Sequence, residues 1–494
     1  MPLDINITDD VTTINLDALT NHGIRRMTMG KPSLDIVWAG SRRSQYDHPA
    51  SFTFRNREDL SIIAKIKGSS LDNWITQHRN LQNLLTESLR YYNTRGEYGK
   101  QAFLDAQLNG MTNSTRYDIL AGQVDPGEGM FGVPMLDTTA PKNPNVQIAL
   151  TVKPFGRPST STSTTSASMA NSGAITTITA PAGDWDPPAK VTLNLAATID
   201  GIRFILWARS KYTVAEFLRF LEAETGTFTN ANGTTTDYTV TSLSANPGWT
   251  LANEVDAAAS GGNRLDIVKL GTLANNTLYP ILRWTIDSNV RHHRGLYQCF
   301  LRVRMPTDDA GANTKLQLRW GGATGVDRVN DAVRADQTVL SATDWRLLDL
   351  GQMTIPHRTL PSAVDFAAYN FALYGSTHGG GAPPNLNWEI DCVYLVPVDG
   401  PILIGKLNAV SGAQDKVVSD WLDVVPALYS TDSADVPQDE YFTAANLLHT
   451  GFWLTRNVNN IFGYLVMDDT NNKHVLADTA TITVECYPYY YLFR

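Results

Sequence analysis

The residues best placed to do chemistry are few. His292 and His293 stand together in Asn289-Val-Arg-His-His-Arg-Gly, and adjacent imidazoles can hold a metal. No third ligand lies nearby in sequence, so a solvated loop between strands is the better reading. Asp308-Asp309 and Asp468-Asp469 are carboxylate pairs of the kind a glycosidase or a calcium loop needs. Both lie in turn-forming contexts, where short polar side chains bond local backbone, and turn chemistry accounts for them. Cys299, Cys392 and Cys486 are odd in number, widely spaced and set in apolar runs, which fits reduced, buried thiols. No nucleophile elbow, phosphate loop, zinc-protease helix or dinucleotide fingerprint occurs. Gly379-Gly-Gly-Ala-Pro-Pro runs into prolines rather than a helix and reads as an exposed loop. The expectation is a binding and assembly protein, not an enzyme, with no catalytic residue, no metal ligand and no cofactor.

Four tryptophans on or beside strands, Trp284, Trp320, Trp345 and Trp388, are the remaining candidates. A tryptophan face can stack on sugar rings, and tryptophans also fill sandwich cores. Both readings stay open at this point.

The elements that would carry these residues are mostly strands. At 494 residues the chain is too long for one core. A net charge of −9 without a basic stripe argues against a nucleic-acid partner. No apolar run approaches the ~20 residues of a membrane helix, so no membrane insertion is expected. The amino terminus lacks secretory features, which points to synthesis and solubility in a cytoplasm.

Residues 1–157 read as a small barrel or sandwich with one helix. Leu71, Trp74, Ile75, His78, Leu81, Leu85, Leu89 and Tyr92 recur at helical spacing, with Ser70 as N-cap and Gly96 past the end. His78 on that face reads as a core or boundary histidine. Residues 158–174 are Ser- and Thr-rich without a large hydrophobe, which predicts a linker. Residues 175–400 hold seven or more short strands, the pattern of a jelly-roll-like sandwich, plus a short helix over Val214–Ala223 opened by Thr213. The fold of 212–274 is otherwise not legible. Residues 401–494 continue in β style, as a separate unit or packed on an earlier domain. Their dense aromatic end, Tyr487-Pro-Tyr-Tyr-Tyr-Leu-Phe-Arg, is expected to dock on protein.

Three stretches together resemble tail proteins of long-tailed bacteriophages. The first block, with Tyr117-Asp-Ile-Leu-Ala-Gly-Gln-Val-Asp and the closing Val146-Gln-Ile-Ala-Leu-Thr-Val-Lys-Pro, looks like the split-barrel ring domain of distal and minor tail (baseplate) proteins. Trp345-Arg-Leu-Leu-Asp-Leu-Gly-Gln-Met-Thr-Ile-Pro and Ile390-Asp-Cys-Val-Tyr-Leu-Val-Pro-Val-Asp resemble the closing strands of carbohydrate-module-like sandwiches carried by such proteins. Thr481-Ile-Thr-Val-Glu-Cys-Tyr-Pro-Tyr-Tyr resembles their final strand. The resemblance implies a virion structural protein at the tail tip, assembled in the host cytoplasm. It would form a homo-oligomeric ring, a hexamer or trimer, contacting tail tube and baseplate hub. Its sandwich would serve assembly or touch host surface glycans. A carbohydrate-binding adhesin without a ring, and a glycan-active enzyme, are the alternatives.

Overall fold

Asn145–Val152 alternates buried and wet side chains, with Val146, Ile148, Leu150 and Val152 on the dry face. A strand turns every second side chain the same way, so such a face needs a cover. In the computed structural model of the chain, that cover is the helix Leu71–Asn93. Described are residues 4–16, 22–28, 34–39, 48–54, 57–66, 70–94, 96–107, 114–125, 145–153, 155–159, 162–184, 186–195, 202–210, 220–224, 226–228, 238–242, 249–269, 278–286, 295–307, 313–322, 331–337, 343–355, 369–378, 387–407, 416–422, 427–432, 434, 436, 442–449, 451–468, 472–474 and 479–490.

The helix begins where Ser70 accepts a hydrogen bond from the Asn73 N–H at 3.2 Å. It seats Trp74, Leu81, Leu84 and Leu85 among Ile62, Val124, Ile148 and Leu150. Each such side chain contributes roughly 1.5–3 kcal/mol on burial. The buried stripe is rotated from the one spacing suggests. Leu89 is exposed, while Ser88 is sealed and its hydroxyl donates to the Ile119 carbonyl at 2.6 Å. Gly122 permits this closeness, since a Cβ there would stand 2.7 Å from Leu150 and 2.9 Å from Leu85.

Beneath the helix lies an eight-stranded sheet, ordered Thr13–Asn15, Asp4–Thr8, Ala102–Gln107, Thr115–Asp125, Asn145–Val152, Arg57–Ile66 and His22–Thr28. Arg157–Pro158 pairs with the start of Thr115–Asp125. Among the described strands the sheet stays open, ending on Thr13–Asn15 and His22–Thr28. Leu34–Ala39 and His48–Phe54 form a separate ribbon.

The rest is a sandwich within a sandwich. One sheet runs Ser163–Met169, Ala480–Cys486, Ala189–Leu195, Lys416–Asp420, Ala427–Thr431. The other runs Ile175–Thr179, Asn459–Asp468, Ile202–Ser210, Ile402–Leu407, Phe442–His449. Their core joins Val191, Leu193, Phe204, Leu206, Phe462 and Ile482. Between Ser210 and Ile402 the chain builds a second sandwich and then returns to the strand it left, with Trp207 opposite Ile402. Residues 175–210 therefore belong with the carboxy-terminal segment rather than with the strands up to 400.

The Ser/Thr stretch is not simply a linker. Ser163–Met169 is an edge strand along Ala480–Cys486, with Ser166 and Thr483 hydroxyls 2.9 Å apart. Its low hydrophobicity suits an edge whose outward residues meet water, and backbone pairing supplies what side chains lack. The helix expected over Val214–Ala223 is also corrected in part. Phe220–Glu222 pairs as a strand with Cys392–Tyr394, so tertiary pairing overrides the capping signal; residues 211–219 lie outside the described set. The mostly-β expectation with one packed helix holds.

Candidate functional site

The inserted sandwich stacks two six-stranded sheets. The first places Asn387–Pro397 centrally, with Gly295–Thr307 on one side. On the other side Asn263–Lys269 pairs with its first half and Phe220–Glu222 with its second. Asp391 sits at that switch. The pairing jumps from Arg302 opposite Cys392 to Val303 opposite Ile390, which leaves Asp391 as the extra residue of a β-bulge. A bulge re-aims side chains. Trp388 packs toward the second sheet, against the position of Gly375, whereas Asp391 and Cys392 both serve the opposite side.

There a polar cluster forms inside apolar surroundings. The Arg302 guanidinium pairs with Asp391 and donates to the Ala258 carbonyl at 2.8 Å. The Ser260 N–H and hydroxyl reach Asp391 Oδ1 at 2.9 and 2.7 Å, and the same hydroxyl lies 2.7 Å from Glu222 Oε2. One hydroxyl proton cannot serve two carboxylates fully, so the pair calls for another proton or a cation between them. Glu222, Asp391 and Cys392 offer ligand atoms within 4.8 Å of one another. Glu224 lies beside them, 5% exposed, with Oε2 unpartnered. Burial, reinforced by the charge of Asp391, lifts its carboxyl to about 7.

A second layer of charge adjoins this cluster. Arg264 bridges Asp256, Asp266 and Glu389, each at 2.9 Å, and Arg304 joins Asp256 at 2.6 Å and also pairs with Glu389. Across both layers six carboxylates face three guanidiniums, an excess of negative charge. Burial pushes the Cys392 thiol up, which keeps it protonated and removes the thiolate a soft metal would want. Glu222, Asp391 and the Ser260 hydroxyl are hard oxygen donors and suit a cation such as calcium, with Glu224 just outside that set. No sequence spacing announced this group, because Glu222, Ser260 and Asp391 come from three distant segments. The one legible hint was two acids, Glu389 and Asp391, in an otherwise apolar strand.

Three of the four tryptophans are sealed and line no groove. Trp284 and Trp388 are fully buried in the core of the insert. Trp345 is buried under Arg302 and Arg304, whose guanidiniums lie 4.7 and 4.6 Å from its ring. Packing accounts for these three, because a sealed ring cannot stack on a sugar. The side chain of Trp320 lies outside the described residues, as do His292, His293, Asp308, Asp309, Asp469 and the glycine run at 379. Asp468 ends the strand Asn459–Asp468 and opens a turn, its carbonyl accepting from Asn472 N–H at 2.9 Å. His78 is half-buried inside the helix, at the edge of the core and 5.4 Å from the Trp74 ring, and burial lowers its pKa. All three cysteines are buried and none forms a disulfide. No described helix is long and apolar enough to cross a membrane.

No protein-family model and no curated protein matches the chain. Structural neighbours include SPP1 Dit (gp 19.1), described as a paradigm of the hub adsorption apparatus in phages infecting Gram-positive bacteria. It is 6% identical, with 98% of each chain covered and a TM-score of 0.29. A second is the CBM22-1 xylan-binding domain of Paenibacillus barcinonensis Xyn10C, 16% identical over 34% of this chain and 90% of that one, TM-score 0.21. A third is the infectious bursal virus protein of T=1 particles, 10% identical over 68% and 80%, TM-score 0.20. At such scores these likenesses assign no function.

Proposed function

We propose that the chain is a structural protein of a phage tail tip, assembling as a homo-oligomeric ring and displaying its inserted sandwich for assembly or host-surface contact. The observation that carries this reading is the insertion itself. The chain leaves one sandwich at Ser210 and re-enters at Ile402, beside the strand it left, so a whole domain hangs from two adjacent strands. That is an arrangement for display. The amino-terminal sheet adds two terminal strands, Thr13–Asn15 and His22–Thr28, each paired on one side among the described strands. Edges of this kind are managed in natural proteins by pairing or cover, and subunit pairing in a ring does both.

The buried acids of the insert fit the same reading. They lie beneath the turn at 256–262, where a cation would brace the bulged sheet and where a glycan chain has no access. The test is the native mass of the purified chain by light scattering at several concentrations, with electron microscopy of the same sample. A discrete trimer or hexamer with a ring outline is the expected result. A strict monomer at every concentration overturns the ring, and shifts the reading to an adhesin.

A further inference from the structure

The second sheet of the insert turns a polar face away from the core. Its strands run Gly226–Phe228, Tyr238–Ser242, Tyr279–Ile286, Tyr369–His378, Asn313–Gly322, Asp331–Gln337. Leu282, Trp284, Phe371, Leu373, Leu316 and Leu318 all point into the core. Strand alternation therefore turns Arg283, Thr285, Asn370, Ala372, Gln317 and Arg319 the other way. Across this face Thr241 stands opposite Arg283, Arg283 opposite Ala372, and Ala372 opposite Arg319. Two guanidinium-bearing residues thus flank a single small one, their backbones about 10 Å apart at ordinary strand spacing.

Neither arginine has a carboxylate partner among the described residues. Arg283 Nε is buried without any hydrogen-bond partner, and so is the Thr241 hydroxyl beside it. Arg319 is held flat, its guanidinium 3.9 Å from the Tyr374 ring and its Nε donating to Gln317 Oε1 at 2.8 Å. Arg264, Arg302 and Arg304 of the facing sheet are by contrast paired with acids. An unpaired buried donor costs free energy, and a planar guanidinium fixed on a ring is preorganised to grip an oxyanion.

We propose that this face binds an anionic glycan, with Arg283 and Arg319 gripping its acidic groups above Ala372 while Thr285 and Gln317 bond its hydroxyls. The inference rests on reading the insert as the surface-contact part of the protein. The face offers amide, hydroxyl and guanidinium groups around Ala372 and the Tyr374 ring, so it suits a polyhydroxylated ligand rather than an apolar protein surface. Two cations on a chain of net charge −9 are too few for a nucleic acid.

The test is calorimetric titration of the full chain with polygalacturonate, phosphomannan, neutral xylan and polyglutamate. At least one acidic glycan should bind roughly ten-fold tighter than xylan or polyglutamate, weakening as salt rises. The first two polymers distinguish a carboxylate from a phosphodiester ligand. Arg319→Gln should weaken binding roughly ten-fold, and Arg319→Lys partially, because charge returns without the planar fork. Unchanged thermal unfolding of Arg319→Gln shows that the loss is not misfolding, and Arg283→Gln is the second variant. Binding to neither acidic glycan overturns the inference, as does equal binding of polyglutamate or wild-type affinity in the double variant. The native mass separates the two readings: a ring that binds no glycan sinks only this inference, and a monomer that binds one sinks only the ring.

Discussion

Asp391 meets Arg302 where water does not reach, their side chains 0% and 2% exposed. A bulge aims the acid, and the opposing strand delivers the base at the same height. Each ion is tolerable only because the other is present, with the Ser260 N–H bonding the acid and the Ala258 carbonyl the base.

Removing one partner should therefore cost far more than removing both. Asp391→Ala is expected to destabilise the insert by about 3–5 kcal/mol, since it strands a buried guanidinium. The double variant Asp391→Leu with Arg302→Met should recover most of that loss. Urea unfolding followed by tryptophan fluorescence checks it, Trp345 being in contact with Arg302. A single variant that unfolds at the wild-type midpoint would remove the pair from the account of stability.

Glu224 supplies the second expectation. Its folded pKa of about 7 stands above the ordinary 4.5, so its contribution to stability is full below 4.5 and is lost as pH rises to about 7. A cation at the neighbouring Glu222 and Asp391 favours the ionised form of Glu224. Calcium should thus raise the melting temperature of the insert most above about pH 7, by the equivalent of ~2.7 kcal/mol at a hundredfold excess over Kd. Glu224→Gln should flatten the pH slope and blunt the calcium effect. Superimposable melting curves in calcium and in chelator above that pH would rule out the cation.

How far could these features be read from residue order? The helix could, because Ser70 caps it and its apolar residues recur every three or four positions. The strands of the first block could too, since alternation survives in short windows. What residue order hides is pairing. Nothing near Ser163–Met169 says that its partner is Ala480–Cys486, more than three hundred residues away, so a pairing edge strand looked like a spacer. Asp391 looked like one more strand residue because a bulge is a property of two strands. Trp284 and Trp388 were compatible with a groove or a core, and only the stacking of two sheets decides between them.

His474 offers a pH effect of opposite sign to that of Glu224. It lies on the seam between the two sandwiches, donating its backbone N–H to the Trp345 carbonyl at 2.9 Å. Its Nε2 is 2.9 Å from the Ser172 hydroxyl, its Nδ1 has no partner, and the Tyr394 ring meets it edge-on at 5.5 Å. Burial, with the positive charge of Arg302 adding to it, holds its pKa well below 6.5. The unfolded chain takes up a proton there and the folded one does not, so stability should fall as pH drops below 6.5. His474→Gln, measured beside wild type in a Glu224→Gln background, should abolish that acid sensitivity. An unchanged acid slope would place its origin elsewhere.

The carboxy terminus fastens the first block to the rest. Tyr490 exchanges backbone hydrogen bonds of 3.0 and 2.8 Å with Gly156, and the Tyr489 carbonyl accepts from the Asp184 N–H at 2.7 Å. Arg157 lies 4.3 Å from the Tyr487 ring while pairing with Asp118, which also holds Lys153 at 2.8 Å. The aromatic end thus bridges the exit of the amino-terminal sheet and the first sandwich, where burial of its rings outweighs the cost of ordering it. Ending the chain at Cys486 should leave every sheet formed, because Ala480–Cys486 remains, yet free the joint around Arg157. Limited proteolysis should then cut that joint several-fold faster than in the full chain, releasing a folded amino-terminal block with an unchanged circular dichroism spectrum. Arg157→Ala should move the rate the same way by a smaller factor. Equal cleavage of the truncated and full chains would mean that the joint is rigid without its aromatic clasp.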